Sequence, residues 1–203
     1  ETHLFIVTRL LYSYPILLNH MEDILKNNPN LVNKPNNITK ETPIFHAVLW
    51  LYHKDYVDAV NLFIKYNVDV NLQDINGDTS LHNMVKNFVA NNNFISLLRV
   101  LLTRANPNLC NKRGNSALYE LVYYFDNSMS SEIKTKYVKK AIKLFVAAGT
   151  NLLTRNKDKM SVLDHINKKS NITNVLQELV SYNIKKEIIE KDNIEKDNIE
   201  KDN

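Results

Sequence analysis

A short sequence phrase recurs in this chain of 203 residues at a spacing of 37. The clear copies are KETPIFHA at 40–47, NGDTSLH at 76–82 and RGNSALY at 113–119. Thr42, Thr79 and Ser116 are equally spaced, and a more divergent copy around Ser161 follows 45 residues later. Repeats of this length are typical of proteins that stack one supersecondary unit on the next. The spacing therefore predicts a stack of four or five units, and it favours a binding surface over an active site.

Each copy places a hydroxyl residue immediately before an apolar stretch, which is the pattern of a helix N-terminus. These residues are Thr42, Thr79, Ser116 and Ser161. A hydroxyl at this position can accept a hydrogen bond from a first-turn N–H, which stabilises a helix by about 1 kcal/mol. Pro43 fits the first helical position, where its missing N–H costs nothing. The residues two places after each cap are predicted to lie in the core; they are Ile44, Leu81, Leu118 and Leu163.

The three glycines of the chain occupy two kinds of position in the repeat. Gly77 and Gly114 lie two residues before a predicted cap, where a tight turn needs a positive φ. Gly149 follows an apolar stretch, as glycine does at the C-terminus of a helix. We therefore predict left-handed backbone at all three.

The repeated phrase resembles the Thr-Pro-Leu-His tetrapeptide of the ankyrin repeat. It occurs as TPIF at 42–45, TSLH at 79–82 and SALY at 116–119. The Gly-Ala-Asp-Val-Asn signature of that family is resembled by NVDVN at 67–71, RANPN at 104–108 and GTNLL at 149–153. The resemblance implies an all-α fold, an ankyrin-repeat solenoid of stacked helix-turn-helix units with short hairpin connections.

The array is expected to cover residues 3–183. Its predicted units are 3–33, 38–71, 75–108, 112–153 and 157–183. Inserted residues fall in the turns between the two helices of a unit, where a surface loop tolerates them. Residues 184–203 contain three IEKDN pentads and form a charged low-complexity tail. Its composition favours a disordered segment or a frayed helix, and a partner-binding tail is the alternative.

Composition restricts the classes of partner and compartment. The formal net charge is +4, well short of the basic footprint of a dedicated nucleic-acid binder. No apolar run is long enough to cross a bilayer, and no signal peptide is recognisable, so we expect no membrane insertion. Cys110 is the single cysteine, which favours an intracellular, reducing compartment. The degenerate, Asn- and Lys-rich repeats also resemble ankyrin proteins of large DNA viruses, with those of AT-rich intracellular bacteria or protists as the alternatives. This resemblance implies a viral or intracellular-pathogen factor that targets host proteins.

No catalytic, metal-binding or cofactor-binding arrangement is predicted. The histidines show no metal-ligand spacing, and a single cysteine cannot supply a zinc cluster. No phosphate-binding glycine loop or nucleophile–base pattern is recognisable. His82 matches the family's structural histidine, so we expect it to pack and form hydrogen bonds. We therefore expect a non-enzymatic protein without cofactors.

The ankyrin resemblance implies that partners contact the hairpin tips and the exposed end of each unit's first helix. These positions form a predicted concave face. Its candidate partner-binding residues are Trp50, Asn76, Asp78, Lys86, Asn87, Lys112, Arg113, Asn115, Tyr123, Tyr124, Lys157 and Lys168. Aromatic and Arg side chains dominate the energetics of many protein interfaces. The competing interpretation is that the aromatic side chains pack within their own helices and the basic ones are simply solvated.

The sequence thus predicts a monomeric scaffold that binds a protein partner through its concave face. The main alternative is a structural or self-assembling element without a dedicated external partner. A nucleic-acid binder is the third and least favoured hypothesis.

Overall fold

The computed structural model describes residues 3–11, 13–14, 16–50, 54–126 and 132–167. Within these ranges the chain is helical and contains no β-strand. The α-helices are α1 (His3–Leu10), α2 (Leu17–Asn27), α3 (Pro43–Ala47), α4 (Lys54–Lys65), α5 (Ser80–Lys86), α6 (Asn92–Leu102), α7 (Ala117–Asp126), α8 (Glu132–Ala147) and α9 (Val162–Asn167). A 3-10 helix covers Pro29–Asn33. The expectation of a helical fold is confirmed.

The helices pack in two rows. The odd-numbered helices contact one another in chain order, from α1 through α3, α5 and α7 to α9. The even-numbered helices contact one another in the same order, from α2 to α8. The division of this array into the predicted units stays a prediction. The outer helix expected near 172–182, the tail at 184–203 and the inserted turn at 127–131 lie outside the described residues.

The core lies between the two rows and is built from the apolar face of each helix. Phe63, Phe94 and Phe145 occupy it from α4, α6 and α8, all fully buried. The predicted core positions in the odd row are buried at Ile44, Leu81 and Leu118. Leu163 is only partly buried and packs against this core from α9.

The predicted hydroxyl caps differ from copy to copy. Ser116 accepts a hydrogen bond from the Tyr119 N–H at 3.2 Å, and Ser161 accepts one from the Asp164 N–H at 3.1 Å. The cap prediction is wrong for Thr42, whose buried hydroxyl has no hydrogen-bond partner. The reason is local, because the Phe45 N–H bonds to the Thr42 backbone carbonyl at 3.0 Å.

Four hairpin connections precede the predicted caps at Thr42, Thr79, Ser116 and Ser161. In each of them the residue two places before the cap has left-handed backbone. Gly77 and Gly114 hold this position in the two middle hairpins, with φ of 76° and 77°. Gly149, which follows α8, has a φ of 81°, so left-handed backbone is confirmed at all three glycines. Lys40 and Lys159 take the same conformation in the first and last hairpins, with φ of 62° and 58°. The turn geometry is therefore kept even where no glycine is present.

A side chain five or six residues before each cap closes the hairpin. The residues at this position are Asn36, Asp74, Asn111 and Asn156. In every case a side-chain oxygen accepts a hydrogen bond from the N–H two residues further on. Side chains of this type mimic a backbone turn, which explains why Asn or Asp recurs here.

Backbone hydrogen bonds join each hairpin to the next. The N–H groups of Ile75, Lys112 and Lys157 donate to carbonyls of the preceding hairpin at 2.8, 2.8 and 3.0 Å. A second series joins the ends of the even-numbered helices. In it, the side-chain oxygens of Asn33, Asn71 and Asn108 accept N–H groups from the following copy, each at 2.7 Å. These two series hold the four hairpins in one row.

Candidate functional site

A buried polar network underlies the middle hairpins. Asn111 donates from its side-chain amide to Asp78 at 2.9 Å and to Glu120 at 2.8 Å. Asn115 also donates to Glu120, at 3.0 Å, and accepts a bond from Asn156 at 2.7 Å. All five side chains belong to residues that are at most 8% exposed. Buried polar groups that satisfy one another in this way fix a unique geometry.

Asp78 connects this network to the surface. Its second carboxylate oxygen accepts a bond from the Lys86 amine at 2.5 Å, while its first oxygen binds Asn111. Lys86 is half-buried at the end of α5. A buried carboxylate is stable when a cation and hydrogen-bond donors compensate it, and both are present here.

A polar cleft of about 260 Å³ opens above the network. Its lining residues are Asn76, Asp78, Lys86, Asn111, Lys112, Arg113 and Tyr124. Lys112 and Arg113 are exposed at the rim, and neither has a carboxylate partner among the described residues. Because Lys86 is paired with Asp78, these two rim cations leave the opening of the cleft electropositive.

A second recess of about 190 Å³ lies next to the cleft, and the two share Lys86 and Tyr124. Most of its wall is apolar. The apolar side chains are Val85, Phe88, Leu121 and Phe125. A polar cleft with a basic rim and a mostly apolar recess therefore adjoin at Lys86 and Tyr124.

The three predicted aromatic residues are each 40% exposed, so each combines internal packing with an accessible edge. The Trp50 ring lies 6.4 Å from the buried Tyr56 ring. Tyr123 is perpendicular to Tyr124 at a centroid distance of 5.7 Å, and it stacks on Tyr119 at 6.3 Å. Each of the three side chains therefore packs against a neighbouring ring and also keeps surface that a partner could contact.

The predicted site residues other than the aromatic Trp50 and Tyr123 differ in their place relative to the cleft. Six of them line the cleft or its rim: Asn76, Asp78, Lys86, Lys112, Arg113 and Tyr124. Asp78 and Asn115 are buried, at 4% and 6% exposure, because both belong to the internal network. Asp78 therefore lines the cleft with little exposed area, and Asn115 does not line it. Asn87 and Lys157 are exposed outside the cleft, and Lys168 lies outside the described residues.

Asn111 and Glu120, together with Asn156, are the residues of the network that sequence reasoning missed. Asn111 carried a signal, since Asp74, Asn111 and Asn156 each precede a predicted cap by five residues. Glu120 carried a weaker signal, as a single carboxylate inside the apolar stretch ALYELV. Only the fold shows that the two side chains meet.

Histidine and cysteine chemistry is limited in the described residues. The His3 and His20 Nε2 atoms lie 3.3 Å apart, although 17 residues separate them in the chain. No group of three or more His, Cys, Asp or Glu side chains in the described ranges could hold a metal ion. Burial raises the pKa of the Cys110 thiol, which lowers its nucleophilic thiolate fraction.

No described helix combines the length and apolar character needed to cross a membrane. Comparison with protein-family models finds no family that matches the chain. Comparison with curated proteins finds no match either. The ankyrin resemblance therefore depends on the sequence motifs alone.

Proposed function

We propose that this chain is an ankyrin-repeat solenoid that recognises a protein partner through its concave face, without catalysis. Three features support the architecture. Helices contact their counterparts in two parallel rows, the hairpins are joined by backbone hydrogen bonds, and the left-handed turn recurs at one position of each copy. The intracellular compartment and the likeness to viral ankyrin proteins stay predictions.

The cleft is the observation that carries the functional proposal. It combines two neighbouring hairpin tips with the ends of α5 and α7, which are the elements that the resemblance assigns to partner binding. Its rim holds an Arg and a Tyr, and both residue types are enriched among the energetically dominant positions of interfaces. The buried network beneath the cleft holds the rim in place before binding, which reduces the entropy lost on association.

The chemistry of the two recesses indicates what kind of segment would bind. The electropositive rim formed by Lys112 and Arg113 suits a carboxylate side chain of the partner. The adjacent apolar recess suits an aliphatic or aromatic side chain, and Tyr124 lies between the two. We therefore propose a partner segment in which an acidic residue is close to an apolar one.

Affinity capture with a matched pair of variants tests this proposal. Arg113→Ala/Tyr124→Ala removes the cation and the aromatic ring at the cleft. Arg99→Ala/Tyr14→Ala removes the same residue types from exposed positions elsewhere. A partner should be captured from the native host cell by the wild type and by the Arg99/Tyr14 variant, but not by the Arg113/Tyr124 variant.

Measuring the Kd of the purified partner for each variant is then the decisive experiment. Truncating interface anchors of this kind costs about 2 kcal/mol or more each. Because such costs are not additive, the Kd in Arg113→Ala/Tyr124→Ala should rise by at least the roughly 30-fold that one anchor alone contributes, with unchanged circular dichroism. Equal affinity for the two double variants would place the binding surface elsewhere. Light scattering that shows concentration-dependent oligomers and no captured partner would favour the self-assembly alternative.

A further inference from the structure

Helix α8 concentrates the positive charge of the chain. It contains five lysines and one glutamate in the sequence EIKTKYVKKAIKLFVA. Its net formal charge is therefore +4, equal to the net formal charge of all 203 residues. The formal charges of all other residues sum to zero. The modest net charge of the whole chain therefore conceals one strongly basic helix.

Four of the five lysines of α8 share one face. Lys136, Lys140 and Lys143 are exposed and are spaced by four and three residues, which places them on one side of a helix. Lys139 is half-buried beside them. These four side chains line a shallow trough of about 680 Å³ along α8. We call the four residues the lysine face; from first to last it extends about 10 Å along the helix axis.

Among the described residues, the lysine face lacks the carboxylate partners that four other cations have. Lys26, Lys65, Lys86 and Arg155 each lie within 4.0 Å of a carboxylate. Within the described ranges, no such pair involves a residue of the lysine face. Of the helices that pack against α8, α6 cannot supply one, because residues 79–119 contain no Asp or Glu, and the Glu120 carboxylate of α7 is bonded to Asn111 and Asn115. Glu132 lines the same trough but does not lie within 4.0 Å of a residue of the lysine face.

The surroundings of the lysine face favour nucleic-acid phosphates over a protein or a lipid surface. Lysine is depleted in protein–protein interfaces, whereas it is a common point-charge ligand of phosphate. An interfacial membrane helix needs a free apolar face, but Val138, Ile142 and Phe145 of α8 are buried in the core. A duplex presents one phosphate charge per about 1.7 Å of its axis, so several phosphates come within reach of a 10 Å row.

We propose that the lysine face of α8 is a nucleic-acid backbone-binding surface without sequence preference. It lies on the even-numbered row of helices, whereas the cleft joins hairpin tips and odd-numbered helices. The protein would therefore hold a protein partner and a nucleic acid on different surfaces. This inference does not depend on the proposed protein partner.

Fluorescence anisotropy with a labelled duplex of about 20 base pairs tests the proposal on the full chain. Each neutralised phosphate contributes about −0.9 to the slope of log K against log salt, so four lysines predict a slope of about −3.6. Affinity should then fall on the order of 100-fold between about 50 and 200 mM salt. Duplexes of unrelated sequence should bind equally, and a strong preference for one sequence would contradict the proposal.

Two triple variants test whether binding depends on where the lysines lie or only on the net charge of the protein. Lys136→Gln/Lys140→Gln/Lys143→Gln removes three charges from the lysine face. Its matched control, Lys26→Gln/Lys34→Gln/Lys54→Gln, removes three charges from exposed positions elsewhere. Gln and Lys have similar helix propensities, so both variants should keep the wild-type circular dichroism. The α8 variant should lose most binding and retain a slope of about −0.9, while the control keeps a slope of about −3.6.

Three results would overturn the proposal. One is no anisotropy change for the wild type at about 50 mM salt, the low end of the range in which backbone contacts are strong. The second is an equal loss in the two triple variants, which would reduce binding to a net-charge effect. The third is binding of the wild type to a poly-glutamate peptide or to vesicles containing phosphatidylserine, without binding to the duplex. That result would reassign the lysine face to an acidic protein or to a lipid surface.

Discussion

At the residue scale, His82 joins one hairpin to the next through both ring nitrogens. Its Nδ1 accepts a hydrogen bond from the Thr79 N–H at 3.1 Å, and its Nε2 lies 3.0 Å from the Asn115 carbonyl. An acceptor Nδ1 leaves the proton on Nε2, which then donates to Asn115, so the ring is neutral. Burial lowers the pKa of His82 below its ordinary value. The prediction that His82 packs and forms hydrogen bonds agrees with this geometry.

We predict that His82 makes folding stability dependent on pH. As pH falls below about 6.5, the unfolded chain binds a proton at His82 and the folded chain does not. The free energy of unfolding should therefore decrease from pH 7 towards pH 5. His82→Gln should be less stable at pH 7 by about 1–3 kcal/mol, since buried partners lose their bonds, and should lack this part of the pH dependence.

Urea unfolding at several pH values measures the effect of His82. The exposed His20 gives the matched control, because His20→Gln changes the same residue type outside the core. His20→Gln should keep the wild-type difference between pH 7 and pH 5. If the wild type and His82→Gln lose the same stability over this interval, His82 is not the titrating group.

A second residue-scale prediction compares two glycines with nearly equal φ. A Cβ at Gly77 would lie 2.9 Å from the Lys112 nitrogen, whereas a Cβ at Gly149 would meet nothing within 4 Å. Gly149→Ala should therefore cost only the left-handed backbone penalty, about 1–2 kcal/mol. Gly77→Ala should cost roughly 1–3 kcal/mol more, because the backbone of the next hairpin must shift. Thermal unfolding of both variants checks the difference, and equal losses would contradict the close approach of the hairpins.

At the scale of the hairpin element, Asn111 has two functions that a single substitution can separate. Its side-chain oxygen accepts N–H groups within the turn, and its amide donates to Asp78 and Glu120. Asn111→Asp keeps the turn acceptor but places a third carboxylate between two others. At neutral pH it should cost about 3–5 kcal/mol, the usual penalty for an uncompensated buried charge. Asn111→Ala should cost less, about 1–3 kcal/mol.

The pH dependence of Asn111→Asp provides the check. Neighbouring carboxylates raise the pKa of an inserted Asp in the folded state. Its penalty is therefore present at high pH and decreases as the pH falls through the raised value. Asp74→Asn is the matched control, because the same turn position there already carries Asp and accepts the same turn N–H groups. We expect a near-neutral effect at 74, and a loss at Asn111→Asp independent of pH would refute the electrostatic explanation.

The elements themselves were largely predictable from sequence, because spacing and residue type decide them. The helical fold, the left-handed glycines and the buried residues Ile44, Leu81 and Leu118 follow from the repeat pattern. The cap at Thr42 could not be predicted in the same way. A backbone carbonyl and a side-chain hydroxyl compete for one N–H, and the sequence does not show which will bond.

At the scale of the whole molecule, the candidate site was predicted only in part. The repeat places Asn76, Lys112 and Arg113 on neighbouring tips, and the structure brings all three to one cleft. The repeat pattern could not show that the side chains of Asp78 and Asn115 are buried in the polar network. Asn115 is held by Glu120, which lies on a different element and has no counterpart in the other copies, and Asp78 is linked to Glu120 only through Asn111. The sequence repeat thus predicts where residues lie in the array. A residue found in one copy alone, such as Glu120, decides which neighbouring side chains are buried.

The two-row arrangement leads to a final prediction about cooperativity. In a quasi-one-dimensional array each unit contacts only its neighbours, so a terminal unit loses one interface when it opens and a central unit loses two. Leu25 is buried in α2 near one end, and Leu98 is equally buried in α6. Leu25→Ala and Leu98→Ala should each cost about 2–5 kcal/mol locally. The loss at Leu25 should open α1 and α2 alone, while the loss at Leu98 should also weaken α4 and α8, which pack against α6.

Hydrogen exchange measured by mass spectrometry on the two variants distinguishes these outcomes. In Leu25→Ala, faster exchange should be confined to the first helix pair, because the opening of an end leaves the remaining interfaces intact. In Leu98→Ala, it should extend across α4, α6 and α8. Exchange that accelerates uniformly along the whole chain in Leu25→Ala would mean that the protein unfolds as a single cooperative body. That result would mean that the interfaces between neighbouring helix pairs are too strong for one end to open alone, and it would contradict the prediction that the first helix pair opens independently.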